Sequence, residues 1–362
     1  MQSMRKLLCI LLAGCLLLSL AACDSSNPPS GGEPASSENI AVFYYTYEDV
    51  YVSSVRAAMD KALDTAGAAY TDYDSANDQA KQNEQVDEAI KKGATCLAVN
   101  LVNSASEDAA RTIIAKAEAA AIPVIFFNRS ISAEAATSYN KCVYVGTDND
   151  EAGHLQGELI GNYLLSNYSS VDLNGDGIIS YVMFKGQEGN VESDSRTLYS
   201  QTDADAILNH AAQPSLAFYD KGNANKYLLD ESGSWSKAFA VEAMQDVLAE
   251  YNEANGNMVE LVIANNDEMA LGAISVLQDA GYNKDGTTII PVFGVDATAE
   301  AQAAISAGSM AGTVKQDAEA MAKAVVNIAF NFKNGANTFA SVDQVGTVVG
   351  SWRINIPYSR YQ

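Results

Sequence analysis

Basic residues are scarce in this 362-residue chain: 22 Lys and Arg stand against 45 Asp and Glu, a formal net charge of −23. So acidic a surface repels the phosphates of nucleic acid and excludes a nucleic-acid-binding role. Histidine is scarcer still, with only His154 and His210. No nucleophile elbow, P-loop or zinc-type spacing accompanies them, so no catalytic set is recognisable, and both are expected in surface or packing roles. Paired acids alone could suggest glycoside hydrolysis, but in the nearest pair Glu48 and Asp49 point alternately along the chain. Of five cysteines, three precede residue 24. The other two, Cys96 and Cys142, sit in apolar runs and are expected as inert core thiols rather than a disulfide.

A long apolar run occurs only at the start, from Leu7 to Ala22, behind Arg5 and Lys6. That layout is a secretory signal peptide over residues 1–22. Leu20-Ala21-Ala22-Cys23 resembles the lipobox of bacterial lipoproteins, which implies acylation at Cys23 and a membrane anchor. The similar Leu12-Ala13-Gly14-Cys15 would leave an apolar core of only Leu7 to Ala13. Residues 23–38, rich in Ser, Pro and Gly, read as a flexible tether.

Beyond it, short apolar runs alternate with helical patterns. Strands are expected at Ile40–Tyr45, Ala69–Tyr73, Cys96–Val99, Val124–Phe127 and Val143–Val145, with helices at Val52–Thr65, Ala76–Lys92 and Glu107–Ala120. The rhythm returns with strands at Ile179–Phe184, Ser215–Tyr219, Leu261–Ala264, Ile289–Phe293 and Gly312–Val314, and helices at Ser193–Ala206, Ser234–Tyr251 and Asp267–Ala280. This order predicts α/β architecture with two doubly wound, mainly parallel sheets. Ligands of such sheets bind beyond the carboxyl ends of the strands, so polar residues there are the first site candidates. The competing reading is that they only cap helices.

Five segments then carry a specific likeness: Tyr47-Glu48-Asp49-Val50-Tyr51, Pro123 to Asn128, Tyr144 to Asp148, Val262 to Asp267 and Pro291 to Asp296. In this order they resemble the periplasmic galactose/glucose-binding protein family, over Ile40 to Tyr358. The resemblance implies the type I periplasmic-binding-protein fold: two lobes, residues 39–146 plus 317–355 and 147–316 plus 356–362, joined by a three-segment hinge. It also implies a monosaccharide held between closing lobes by Asp49, Asn128, Arg196, Asn266 and Asp296, with Tyr51 and Trp235 stacking on its faces. A pyranose suits such a site, because its hydroxyl rim needs carboxylates, amides and Arg while its C–H faces need aromatic plates. Asn190, Glu192 and Gln316 depart from the family's pattern, so galactose and glucose lead, with xylose or another sugar open.

Asp172-Leu173-Asn174-Gly175-Asp176-Gly177-Ile178-Ile179-Ser180 matches the front of a calcium loop, with side-chain oxygens at positions one, three and five, Gly at six and the Ile178 carbonyl at seven. The twelfth-position Glu is missing. The resemblance supplies Glu260 in its place and leaves Ser180 as a ligand that needs a water, implying structural Ca2+. An ABC permease is the implied partner of a monomeric receptor; a chemoreceptor or sensor histidine kinase is the rival. A sugar-repressor-type regulator shares the fold but should begin with a basic helix-turn-helix.

Overall fold

The structure, a computed structural model, describes residues 38–362; the signal-peptide reading and Cys23 lie outside the described residues. Glu38, assigned above to the tether, is buried. Its carbonyl accepts from the Ala69 amide and its carboxylate from the Thr95 hydroxyl.

The first half of the chain runs β1 (Asn39–Tyr44), α1 (Val50–Ala66), β2 (Ala69–Asp74), α2 (Gln79–Lys91), β3 (Cys96–Val99), α3 (Glu107–Ala119), β4 (Val124–Phe127), α4 (Ala133–Thr137) and β5 (Cys142–Gly146). A second set follows: α5 (Glu151–Val171), β6 (Ser180–Lys185), α6 (Val191–His210), β7 (Ala217–Phe218), β8 (Leu228–Leu229), α7 (Lys237–Glu250), β9 (Leu261–Ala264), α8 (Asp267–Asp279), β10 (Val292–Asp296), α9 (Ala299–Ser306) and β11 (Gly312–Lys315). The chain closes with α10 (Ala318–Lys333), β12 (Thr347–Val349), β13 (Arg353–Asn355) and β14 (Ser359–Tyr361).

Two sheets result, ordered β12-β13-β5-β4-β3-β1-β2 and β14-β11-β10-β9-β6-β7, with β8 also on β6. Every pairing is parallel except β12 with β13 and β11 with β14. Helices cover both faces of each sheet, so the strands are apolar on both sides. In β1, Ile40, Val42 and Tyr44 enter one core and Ala41 and Phe43 the other. In β6, Val182 and Phe184 alternate in the same way with Tyr181 and Met183. Cys96 and Cys142 are buried free thiols, and burial pushes Cys142 up to about 12. His154 pairs with Asp203 at 2.6 Å and lies 4.1 Å from the Tyr199 ring, while His210 ends α6.

The expected boundaries shift for identifiable reasons. Helix α2 starts at Gln79 rather than Ala76 because Ala76 and Asn77 are left-handed (φ 50° and 57°) and Asp78 caps the Ala80 and Lys81 amides. Helix α7 starts at Lys237, since Trp235 is left-handed (φ 56°) and Ser236 is the cap. Strand β10 begins at Val292, three residues late: Pro291 has no N–H for the ladder, although its carbonyl accepts from Val262. Strand β7 shrinks to two residues. Helix α6 extends four residues past Ala206.

Three strands of chain pass between the sheets side by side. The Ile356 amide donates to the Gly146 carbonyl at 2.7 Å. Thr147 Oγ1 donates to Tyr358 Oη at 3.1 Å, and the Gln316 amide donates to the Asp296 carbonyl at 3.3 Å.

Candidate sugar site between the lobes

The carboxyl ends of β1, β4, β6, β9, β10 and β11 all face the junction of the two lobes. There a cavity is lined by Asp49, Tyr51, Asn128, Asn190, Glu192, Arg196, Trp235, Asn266, Asp296 and Gln316. These are the ten residues singled out above. The first three come from the lobe of β1, the others from the lobe of β6 and the hinge segment after β11. Two more residues line it, Tyr45 and Arg129. Both directly follow a strand or a candidate polar residue, a position that could have nominated them. Arg129 lies 3.5 Å from the centre of the Tyr45 ring and donates to the Val102 carbonyl, so its charge is held against an aromatic face.

Capping and lining turn out to be compatible. Asp49 Oδ1 caps α1 through the Val52 amide (2.8 Å), while Oδ2 accepts from the Tyr45 hydroxyl (2.6 Å). Asn190 caps α6 through Ser193, and Asn266 caps α8 through Met269. Each cap fixes its side chain, so three helix starts present ordered polar groups to one space. The backbone is strained there too. Asn128 (φ 63°), Trp235 (φ 56°) and Asp296 (φ 123°) all adopt positive φ, a cost of about 1–3 kcal/mol each that packing has to sustain. Trp235 rests on Gly186, where a Cβ would stand 2.1 Å from its Cδ2; any side chain at 186 would displace the indole.

Arg196 is the cation of the second lobe. It donates to the Asn265 carbonyl at 2.9 Å and Tyr358 Oη at 2.9 Å, while its Nε is buried without a partner. Burial pushes Asp296 well above the usual carboxylate range, with the Arg196 charge opposing. Burial raises Glu192 as well. Glu192 Oε1 accepts from the Ser130 amide across the lobes at 3.1 Å, and its Oε2 is buried and unpartnered. Asn190 Nδ2 also crosses, to Ser104 Oγ at 3.0 Å. The lobes are therefore closed on one another around buried donors and acceptors that the protein itself does not satisfy.

Residues 40–337 match the family described as the periplasmic binding protein domain. Over 302 residues the chain is 38% identical to the D-galactose/methyl-galactoside binding periplasmic protein of Haemophilus influenzae, covering 83% of each. The chain belongs to the periplasmic sugar-binding protein family. The ribose import binding protein of Bacillus subtilis is 25% identical over 337 residues, covering 92% of this chain and 94% of that one. An ABC transporter solute-binding protein of Bacillus halodurans with bound myo-inositol superposes with a TM-score of 0.66 at 22% identity, covering 92% and 96%.

In this binding protein the Asp172–Ser180 turn joins α5 to β6. Gly175 and Gly177 take positive φ (70° and 83°), which the turn demands. Glu260 reaches it from the residue before β9. Its Oε1 accepts from the Leu173 (2.8 Å) and Asn174 (3.2 Å) amides and its Oε2 from the Ser180 amide (2.9 Å). Asp172 Oδ1 is buried with no partner, whereas Asp176 Oδ1 accepts from the Ile178 amide. The Ser180 hydroxyl is directed at Glu260 and the Met258 carbonyl. Among the described residues no three His, Cys, Asp or Glu side chains converge into a metal centre. An oxygen set completed by Asn174 and a backbone carbonyl does not require that.

Proposed function

We propose that this chain is the ligand-capturing component of a bacterial ABC importer, working outside the cytoplasmic membrane and tethered to it by acylation at Cys23. It binds an aldohexose, galactose or glucose first, and presents the closed form to the permease. The observation that carries this reading is a cavity built by both lobes, with Asp49 and Tyr51 from one and Arg196, Trp235 and Asp296 from the other. A sugar there adds contacts to both lobes at once, so its binding energy favours closure. The similarity to a protein named for binding galactose and methyl-galactoside supports the choice of sugar. Among the described residues no helix is long and apolar enough to cross a membrane, in keeping with a tethered receptor. Isothermal titration against aldohexoses, pentoses and inositols tests the proposal: micromolar or tighter binding of galactose or glucose is expected, and no heat with any of them defeats it.

We also propose that the Asp172–Ser180 turn holds a structural Ca2+ through Asp172, Asn174, Asp176, the Ile178 carbonyl and Glu260, with Ser180 acting through water. The unpartnered Asp172 Oδ1 supports this. Bound cation would neutralise the carboxylates gathered at the turn and stabilise the folded state by mass action. Melting in EDTA and in millimolar Ca2+ should then differ by several degrees, and superimposed melts remove the ion.

A further inference from the structure

Strands β3 and β9 hold matching places in the two sheets, β3 between β4 and β1, β9 between β10 and β6. Each is followed by a fully buried asparagine, Asn100 and Asn265, whose amide donates to the neighbouring strand at the Phe43 (2.8 Å) and Phe184 (3.0 Å) carbonyls. Asn265 meets the site through its backbone, as the acceptor for Arg196. Asn100 meets it through its side chain, from behind the cavity wall.

The Asn100 amide can face only one way. A backbone donor, the Tyr45 N–H, meets its Oδ1 at 3.2 Å, and a backbone acceptor, the Phe127 carbonyl, meets its Nδ2 at 3.2 Å. A flip would set donor against donor and acceptor against acceptor in a buried place, so these two backbone groups decide which end is which. Nδ2 also donates to Asn128 Oδ1 at 3.0 Å. The choice is thereby passed on: with its oxygen held by Asn100, Asn128 turns its own Nδ2 away, toward the cavity it lines. The Asn128 backbone is pinned as well, its amide donating to the Val145 carbonyl (3.0 Å) and its carbonyl accepting from Tyr144 Oη (2.8 Å). On the same lobe Asp49 presents acceptor oxygens, held by the Val52 amide and the Tyr45 hydroxyl.

We propose that Asn100 is a positioning residue for sugar recognition: it fixes the Asn128 amide so that the first lobe offers the sugar a hydrogen-bond donor there, alongside the acceptor at Asp49. The inference rests on reading the cavity as the sugar site and deepens it. A hydroxyl or ring oxygen that accepts from Asn128 is selected at that point, and a group that can only donate, such as an ammonium, is rejected. The amide is oriented before the ligand arrives, so binding does not have to order it.

A double-mutant cycle read by isothermal titration with D-galactose and D-glucose is the test. Asn128→Ala should weaken the better-bound hexose by about tenfold or more. Asn100→Ser, which frees the amide, should weaken it by about threefold or more in the wild-type background and by less than about twofold in the Asn128→Ala background. A residue that only supports the fold would cost the same in both backgrounds; that result, or no loss in either, refutes the positioning role and leaves the sugar site standing. Asn128→Asp is decided without touching the core: Asn100 still holds one oxygen and the other replaces the donor, so binding should again fall by about tenfold or more. Affinity within about twofold of wild type would overturn the proposal even if Asn100→Ser does not fold. If wild type binds no hexose, the functional proposal falls and this inference with it.

Discussion

Replacing Arg196 by Ala removes a buried guanidinium that faces two buried carboxyls, Asp296 and Glu192, and donates to Asn265 and Tyr358. Burial is the main reason both carboxyls are raised; the Arg196 charge is the chief restraint on Asp296, and at Glu192 it acts after a backbone hydrogen bond and alongside the Ser130 amide and Arg129. Without it they rise further and stay protonated to higher pH. The sign follows: toward acid, at pH 5, protonation relieves more of the buried negative charge, and the variant loses mainly hydrogen bonds of a charged group, about 1.5–3 kcal/mol. At pH 8 the folded state has to hold unpaired buried charge or keep the carboxyls protonated against the solution, and the loss approaches ~3–5 kcal/mol. Urea unfolding at the two pH values measures both figures. Galactose affinity should fall by at least ~2 kcal/mol, about thirtyfold, because a pre-aimed donor is gone. Arg196→Lys keeps the charge without the planar fork, so it should recover part of the pH 8 stability and little of the affinity. A pH-independent loss below ~1 kcal/mol, or unchanged sugar affinity, refutes the placement of Arg196 at the centre of the site.

Trp235→Ala should weaken hexose binding by ~1 kcal/mol or more if the indole stacks on the sugar, read by titration; equal affinity counts against stacking. Gly186→Ala drives a Cβ into the indole and should cost about 1–3 kcal/mol of stability while weakening sugar binding; a neutral result would mean the indole is free to move. Burial, with Asp60 alongside, pushes Asp72 up to about 7, Arg56 opposing. Its unfolded value is about 3.9, so the folded form holds the extra proton and stability falls as pH rises between about 4 and 7. Asp72→Asn should therefore flatten the decline in melting temperature over that window, and an unchanged slope contradicts it.

The parts of the fold legible in the sequence are those where burial imposes a pattern. The parallel strands β1, β3, β4, β6 and β9 are continuous apolar runs because helices cover both of their faces. The strands that escaped, β8, β12, β13 and β14, are pieces of two or three residues, and β12 and β14 are edges. Thr347–Val349 is exposed throughout and Ser359–Tyr361 lies against β11 at the rim, so neither carries an apolar period. Helix starts were misplaced where a non-glycine residue takes a left-handed conformation, as at Ala76, Asn77 and Trp235, since propensity reasoning assigns such residues to regular backbone. In the site, motif likeness nominated residues that the fold brings into one cavity from segments far apart in the chain. It passed over Tyr45 and Arg129, whose partnership across the β1 and β4 ends exists only in three dimensions. Glu192 and Gln316, two of the positions that depart from the family's pattern, are both buried in the cavity wall.

The central claim is that one sugar is held by both lobes at once, and a crystal structure of the protein grown with D-galactose tests it most directly. The account predicts pyranose density in the closed cleft, its hydroxyls bonded to Asp49 on one side and to Arg196, Asn266 and Asp296 on the other. Density elsewhere, or a sugar touching only one lobe in closed molecules, would contradict it.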